Sequence, residues 1–360
     1  MARVAIAMSG GVDSSVAAAL LKKQGHDVIG IHMKLFRGQN DDFREKSCCS
    51  YDETVDARNT CYRLDIPFYV IDYTKEFREL VIDNFIKEYS LGLTPNPCVI
   101  CNQKIKNDLL LKKIDDIGCE FLATGHYAKI SNDKGILKLV KARDLLKDQT
   151  YFLYGIKNIE INRLIFPLQN KTKRQVRDIA TKLNLDTSKK PDSQEICFVK
   201  NDYRDFLKKE IKNKPKPGDF LSINGKVLGR HVGVPYYTVG QRRGIKISDT
   251  TPFYVVKIDV AKNSIVLGKE NDLFSKSTIV SEVNWVSIPP PKEPIEVTAK
   301  IRYAHRGSLA TVFPKPENRV QVIFKKPERA ITPGQSAVFY RDNILLGGGK
   351  ISNDLSTKFK

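Results

Sequence analysis

The chain has no apolar run long enough to span a bilayer, and its first residues lack the charged and long apolar segments of a signal peptide. We therefore expect neither a membrane span nor a secretory leader. Acidic residues are scarce, with 41 Asp and Glu against 60 Lys and Arg, which gives a formal net charge of +19. This excess is typical of a protein with a polyanionic partner, most simply nucleic acid, although a basic surface that serves solubility also fits it.

The chain also lacks an internal repeat of fixed period, and its cysteines do not suit a secreted disulfide scaffold, which would be smaller and evenly paired. A length of 360 residues predicts two or three domains. We expect a cytoplasmic protein with reduced thiols, some of them reactive. The seven cysteines are Cys48, Cys49, Cys61, Cys98, Cys101, Cys119 and Cys197.

The first loop carries neither Gly-x-x-x-x-Gly-Lys-Ser/Thr nor Gly-x-Gly-x-x-Gly. It contains Ser9-Gly10-Gly11-Val12-Asp13-Ser14, between an apolar stretch that predicts a buried strand and an amphipathic stretch that predicts a helix. Free N–H groups and the dipole at a helix start favour an anion, although an ordinary βα turn is the alternative. The loop resembles the pyrophosphate loop of ATP pyrophosphatases, which cleave ATP between its α and β phosphates to adenylate a substrate.

Strand and helix patterns then alternate, with strands expected near 28–33, 68–72 and 121–124 and helices near 52–64, 76–89 and 101–117. This alternation predicts a doubly wound parallel sheet that brings Met33 and Gly125 to the same edge as the loop. An aromatic helix is expected to start at Lys147, and a short strand is expected at 196–199.

A Lys- and Pro-rich stretch near 208–217 predicts a linker, and the short strand patterns beyond it predict all-β modules. The run Pro289-Pro290-Pro291 suggests a break between two of them. The fold class is therefore multidomain α/β plus β, with a catalytic domain of the ATP-pyrophosphatase (PP-loop, adenine nucleotide alpha hydrolase-like) type and two small β domains, the last barrel-like. We expect these domains at 1–206, 207–280 and 281–360.

Two cysteines are candidates for sulfur chemistry. Cys101 follows a proline-stiffened loop at an expected helix start, where the dipole favours a thiolate. Cys197 lies at an expected loop–strand junction, although a buried apolar role between Ile196 and Phe198 is the alternative. Cys98 and Cys101 also form Cys-x-x-Cys, which permits a zinc or iron–sulfur interpretation, with Cys98, Cys101 and Cys197 as ligands of a [4Fe-4S] cluster.

Together these motifs resemble the tRNA-specific 2-thiouridylase family over nearly the whole chain. The resemblance rests on the first loop and on segments spread along the sequence. They are Thr94-Pro95-Asn96-Pro97…Cys101-Asn102, Ala123-Thr124-Gly125-His126-Tyr127-Ala128, Asp148-Gln149-Thr150-Tyr151-Phe152-Leu153, Ile196-Cys197-Phe198, Tyr237-Thr238-Val239-Gly240-Gln241-Arg242-Arg243-Gly244 and Ile301-Arg302-Tyr303.

The resemblance implies a role for each matching residue. Cys101 is implied as the nucleophile and Cys197 as the persulfide carrier. ATP is implied to contact Ala7, Met8, Ser9, Gly10, Gly11, Val12, Asp13, Ser14, Met33 and Gly125. The target base is implied to contact Asn96, Pro97 and Cys98, and tRNA to contact His126, Lys147, Asp148, Gln149, Arg302, Tyr303 and Gln335. Many family members carry Asp where this chain has Cys98, so the role of this position is in doubt.

The implied reaction is ATP- and Mg²⁺-dependent 2-thiolation of the wobble uridine in the tRNA anticodon, which leaves a Cys101–Cys197 disulfide to be reduced. The implied partners are tRNA and a sulfur donor such as a cysteine desulfurase or a sulfur relay protein. We expect the chain itself to be monomeric. The alternatives are a cluster-dependent tRNA thiolase, another adenylating ligase of the pyrophosphate-loop class, and an RNA-binding protein whose loop is only structural.

Overall fold

The computed structural model describes residues 1–36, 51–191, 196–199 and 202–353, and the chain divides into two compact units. The first comprises Met1–Val81, Cys98–Lys200 and Asn343–Leu345, and the second comprises Ile82–Pro97, Asn201–Asp342 and Leu346–Lys360. Cys48 and Cys49 lie outside the described residues. Within the described ranges, no helix is both long and apolar enough to cross a membrane.

A parallel sheet forms the centre of the first unit. The strands of this unit are β1 (Arg3–Ala7), β2 (Asp27–Lys34), β3 (Phe68–Asp72), β4 (Phe121–Ala123), β5 (Ala128–Asp133), β6 (Ile136–Lys141) and β7 (Leu164–Ile165). β5 and β6 form an antiparallel hairpin, and the other five strands pair in parallel in the order β3-β2-β1-β4-β7. The predicted doubly wound sheet is confirmed, and its strand order reverses between β1 and β4, where ligands of such sheets bind.

Eight α-helices are described. They are α1 (Val12–Lys23), α2 (Tyr51–Arg63), α3 (Thr74–Phe77), α4 (Asp83–Ser90), α5 (Pro97–Ile100), α6 (Leu110–Asp116), α7 (Lys173–Lys182) and α8 (Tyr203–Glu210). A π-helical segment, Arg78–Ile82, joins α3 to α4, and another, Cys101–Leu109, joins α5 to α6. α1 packs on the sheet through Val16, Ala17 and Leu21, which are fully buried beside Val4 and Ile6 of β1.

Two expected elements are wrong. The aromatic helix expected from Lys147 is a single 3₁₀ turn, Thr150–Phe152, because the Asp148 carboxylate accepts hydrogen bonds from Ala142 N and Thr150 Oγ1 and so fixes a turn. The strand expected at 196–199 is also a turn, closed by a hydrogen bond from Val199 N to Ile196 O.

The second unit contains a four-stranded sheet. Its strands are β8 (Gly218–Ser222), β9 (Val227–His231), β10 (Tyr254–Asp259) and β11 (Ser264–Gly268), in the order β10-β11-β8-β9. Phe220, Val255 and Ile265 are fully buried at its core. The expected linker is shorter than predicted, because its first residues belong to α8.

The C-terminal strands close into a six-stranded barrel. They are β12 (Phe274–Trp285), β13 (Ile295–Lys300), β14 (Ser308–Lys315), β15 (Arg319–Arg329), β16 (Ser336–Arg341) and β17 (Ile344–Ile351). The order β12-β15-β14-β13-β16-β17 is closed by pairing of β12 with β17, which confirms the barrel-like prediction. The proline run Pro289–Pro291 lies in the connection from β12 to β13, so it does not separate two modules, and the boundary expected after residue 280 falls inside β12.

Burial lowers the pKa of four histidines, and in each it is the largest cause. The unfolded chain then binds protons on these side chains at a pH where the folded chain does not. The free energy of unfolding should therefore fall as the pH drops below about 6.5. The histidines are His32, His126, His231 and His305.

We expect the urea midpoint to decrease from about pH 7 to about pH 5.5, above the range in which carboxylates titrate. His32→Asn removes one of these titrating groups and should flatten the dependence. A midpoint that rises or stays constant over this range in the parent chain would contradict the expectation.

Candidate active site

The loop after β1 is held by its own hydroxyl groups. Ser14 Oγ accepts a hydrogen bond from Ser9 N at 3.2 Å and donates to Gly11 O at 3.1 Å. Gly11, the residue that caps α1, has an extended backbone, and no side chain from the described residues caps this helix start. The first N–H groups of α1 therefore stay available to an anion at the switch point of the sheet.

Two glycines make the loop possible. Gly10 has φ of +74°, and a Cβ there would lie 2.3 Å from Glu53 O. Gly125, just beyond β4, lies so close to α1 that a Cβ would be 2.8 Å from Ser14 N. The ends of β1 and β4 thus converge on the first turn of α1, as predicted for Gly125. Met33 lies at the end of β2, the strand on the other side of β1.

Asp13 is held by a lysine that the sequence did not identify. Lys173 Nζ donates to Asp13 Oδ1 at 2.9 Å and to Oδ2 at 2.7 Å, and Tyr127 OH donates to Oδ1 at 2.9 Å. The Lys173 side chain is only 13% exposed. The first turn of α1 therefore carries a shielded ion pair beside its free N–H groups.

A weak signal for Lys173 was present in the sequence. Thr172 and Gln175 form a capping box with Thr172 as the N-cap, so Lys173 is the first residue of α7. A cation at this position opposes the helix dipole, which suggests that it serves another group. Arg174 and Lys182 are exposed on α7, whereas Arg177 is half-buried.

His126 follows Gly125 and is held in place by Thr124, whose Oγ1 lies 2.8 Å from the His126 Nδ1. Burial, with a smaller contribution from Lys106, lowers the pKa of His126 well below its ordinary value. A neutral imidazole is therefore expected at this edge of the sheet at neutral pH.

The helix that carries Cys101 begins earlier than predicted. It starts at Pro97, because the fixed φ of proline suits the first helical position, and Cys101 begins its π-helical segment instead of its first turn. Cys101 therefore does not lie at the helix start, where the dipole would favour its thiolate. Cys98 lies in the first turn instead. Both cysteines are half-buried. Asn102 anchors the segment by donating to Phe152 O at 3.3 Å.

Cys197 is half-buried in the turn at 196–199. Its neighbour Phe198 packs edge-on against Phe77, with ring centroids 5.9 Å apart. The helical run of Cys101 also packs near α3, since Tyr73 OH donates to Leu109 O at 3.4 Å. Both cysteine-bearing segments therefore pack against the same stretch, 73–77, of the first unit.

The described residues do not support the cluster interpretation. Among the described residues, no three His, Cys, Asp or Glu side chains lie close enough together to hold a metal ion. Cys98, Cys101 and Cys197 all belong to the part of the chain so described, and they do not form a ligand set.

The 147–149 stretch is mostly internal. Asp148 is 6% exposed, and burial raises the pKa of its carboxyl group. Gln149 exchanges hydrogen bonds with Tyr127, donating from its N to Tyr127 O and accepting from Tyr127 N through Oε1, both at 2.9 Å. Lys147 is half-buried and is the cation of this stretch.

The remaining predicted residues lie in the second unit. Arg302 Nη1 donates to Arg329 O at 3.2 Å, and Tyr303 is 40% exposed with Lys300 Nζ 5.6 Å from its ring centroid. Asn96 is half-buried in the loop before α5. Gln335 Nε2 donates to Thr94 O at 3.0 Å.

Known families match three consecutive parts of the chain. A model of the tRNA methyl transferase HUP domain matches residues 2–201, one of the tRNA methyl transferase PRC-barrel domain matches 204–269, and one of the aminomethyltransferase beta-barrel domain matches 275–351. The solved 4-thiouridine synthetase–RNA complex with bound ATP is 16% identical and covers 55% of this chain and 45% of that chain. Its TM-score of 0.35 is too low to carry an argument.

Curated relatives match over almost their full length. The tRNA-specific 2-thiouridylase MnmA of Halothermothrix orenii is 46% identical over 359 residues, which cover 98% of this chain and 100% of the relative. The protein of the same name from Clostridium beijerinckii is 45% identical over 353 residues, which cover 98% of this chain and 99% of the relative.

The parallel sheet with a glycine–serine loop at its switch point, followed by two β modules, defines an enzyme of the HUP class with a pyrophosphate loop. Within that class, the chain belongs to the tRNA-specific 2-thiouridylase family.

Lys173→Gln should weaken ATP binding, because it leaves the Asp13 carboxylate uncompensated beside the expected position of the phosphates. We expect the KM for ATP to rise about tenfold, with tRNA affinity unchanged. Lys182→Gln, on the exposed face of the same helix, is the matched control. An unchanged KM in Lys173→Gln, or an equal rise in the control, would overturn the assignment.

Proposed function

We propose that this chain catalyses the ATP-dependent 2-thiolation of the wobble uridine in tRNA anticodons. The observation that carries the proposal is the open helix start of α1 at the switch point of the sheet, beside the Asp13–Lys173 pair, in a chain that matches 2-thiouridylases from end to end. Such a loop suits a leaving pyrophosphate. The identity of the substrate, a tRNA uridine, is inferred from the family to which the chain belongs.

ATP activates the uridine in the first step. The C2 oxygen attacks the α-phosphate, the bond to the β-phosphate breaks, and pyrophosphate leaves, so that a poor leaving group becomes AMP. The N–H groups at the start of α1 stabilise the charge that develops on pyrophosphate. Mg²⁺ would supply positive charge that offsets the negative charge of the phosphates. The contacts to ATP come from the stretch from Ala7 to Ser14, with Met33 and Gly125.

Sulfur replaces the activated oxygen in the second step. The Cys101 thiolate attacks Sγ of the Cys197 persulfide, a Cys101–Cys197 disulfide forms, and hydrosulfide is released. Hydrosulfide then attacks C2 and AMP leaves. In the alternative order, the terminal persulfide sulfur attacks C2 first and AMP leaves, and the Cys101 thiolate then attacks Sγ of Cys197, which breaks the S–S bond to the base and forms the same disulfide. A thiol reductant then returns two electrons to the disulfide. The pairing follows the family resemblance, since Leu109, the residue of the Cys101 helix that contacts Tyr73, is eight residues from Cys101.

The substrate is a single-stranded anticodon base, which leaves its stack at low cost. Asn96, Pro97 and Cys98 meet the base, and Lys147, Arg302 and the exposed Tyr303 contact the RNA. The net charge of +19 attracts its phosphates. A persulfide-forming protein such as a cysteine desulfurase or a relay protein supplies the sulfur. The chain acts as a monomer, and its tRNA substrate places the reaction in the cytoplasm.

Cys101→Ser and Cys197→Ser should each abolish 2-thiouridine, because neither sulfur release nor persulfide formation can proceed. The measurement is mass spectrometry of tRNA nucleosides after reaction with ATP and a sulfur donor. Cys119→Ala is the control, since Cys119 is buried near the other end of β4, away from the loop. Normal thiolation in either serine variant would contradict the two-cysteine scheme.

A further inference from the structure

The motif Tyr237–Gly244 of the central β module has no part in the chemistry above, yet one of its hydroxyl groups meets the loop that leads to Asn96. Thr94 Oγ1 donates to Thr238 Oγ1 at 3.3 Å. Tyr203 OH lies 3.5 Å from the same Thr238 oxygen. The motif itself is fixed by Gln241, whose Oε1 accepts from Thr238 N at 3.1 Å.

The other polar groups of Thr94 are taken by the turn before β16 of the barrel. Thr94 N donates to Pro333 O at 2.8 Å, and Thr94 O accepts from Gln335 Nε2 at 3.0 Å. Gln335 Nε2 also lies 3.3 Å from Pro95 O. The N–H, C=O and hydroxyl groups of Thr94 are therefore all bound by residues of the two β modules.

The packing at this junction is close. Gly334 has φ of +90°, and a Cβ there would lie 2.7 Å from Thr94 N. A Cβ on Gly240 of the motif would lie 2.9 Å from Ala330 Cβ, just before the same turn. Glycine at both positions lets the motif, the barrel turn and Thr94 approach at van der Waals distance. The contact therefore depends on glycine, since a side chain at either position would separate the motif from the barrel turn or from Thr94.

We propose that Thr238 and Gln335 are positioning residues for the target base: they fix Thr94 and Pro95, and the loop transmits that placement to Asn96, Pro97 and Cys98. The inference rests on the proposed function. The chain between Thr94 and α5 is short and contains two prolines, Pro95 and Pro97, whose φ angles are fixed. A shift at Thr94 is therefore passed to the residues that meet the base.

Gln335 thereby acts on catalysis through the loop, because its amide nitrogen is bound to two loop carbonyls. A positioning role and a tRNA contact predict different kinetics. Loss of a tRNA contact raises the Kd for tRNA, whereas a displaced target base lowers kcat and leaves the Kd unchanged.

The test compares Gln335→Met and Thr238→Val, which keep size and remove the donor or the hydroxyl group. We expect kcat for 2-thiouridine formation to fall about tenfold in each, with the Kd for tRNA, its salt dependence and the KM for ATP unchanged. The controls are Gln321→Met and Thr311→Val, half-buried residues of the same types on β15 and β14, which should retain the parental kcat.

If either variant fails to fold, kcat of the Thr94→Val variant provides a second test. Combined with Thr238→Val, it should lower kcat no further than either single change, because both remove one hydrogen bond. A raised tRNA Kd with unchanged kcat in Gln335→Met, or additive losses in the Thr94→Val/Thr238→Val pair, would overturn the inference. A parental protein that forms no 2-thiouridine would instead refute the proposed function, so the two failures are distinct.

Discussion

The site depends on a steric constraint at two points where backbone meets backbone. At Gly10 the loop presses on the carbonyl of Glu53 in α2, and at Gly125 the chain leaving β4 presses on the first turn of α1. Neither point has room for one more carbon, and neither neighbour can yield, because both are main chain in regular elements. The sheet, α1 and α2 can therefore meet around the loop only as they do, and the N–H groups at the start of α1 are aimed by this packing.

The electrostatics of the loop follow from that arrangement. A carboxylate in the first turn of a helix is favoured by the dipole, but it would repel an incoming phosphate. Lys173 resolves the conflict, since its ammonium group neutralises Asp13. His126 has a lowered pKa for a related reason, because burial and the nearby charge of Lys106 both disfavour a further cation there.

Local patterns predicted four strands of the sheet, β1 to β4, because each is a short apolar run bounded by turn residues. They did not predict β7, which has only two residues. The predictions failed where a local sequence pattern had more than one interpretation or where a contact between distant residues determines the structure. Pro97 was taken as part of a loop although proline also starts helices, and the turn at 147–152 is set by the buried Asp148. Lys173 could not be paired with Asp13 from sequence, since 160 residues separate them. Polar residues interrupt the apolar positions of β12, which weakens its strand pattern.

A pyrophosphate loop alone does not specify a substrate, and the β modules bear on how this chain selects one. The loop recognises phosphate, which any adenylating enzyme needs, so selectivity must lie where the acceptor atom is placed. In this chain the loop 94–97 is bound at every polar group of Thr94 by the central module and the barrel. Neutral hydrogen bonds at a half-buried junction add little to affinity for a distant ligand, but they define geometry. In-line attack on an α-phosphate is sensitive to displacements of about an ångström. The proposed positioning role therefore gives the modules a part in the chemistry in addition to the proposed binding of RNA.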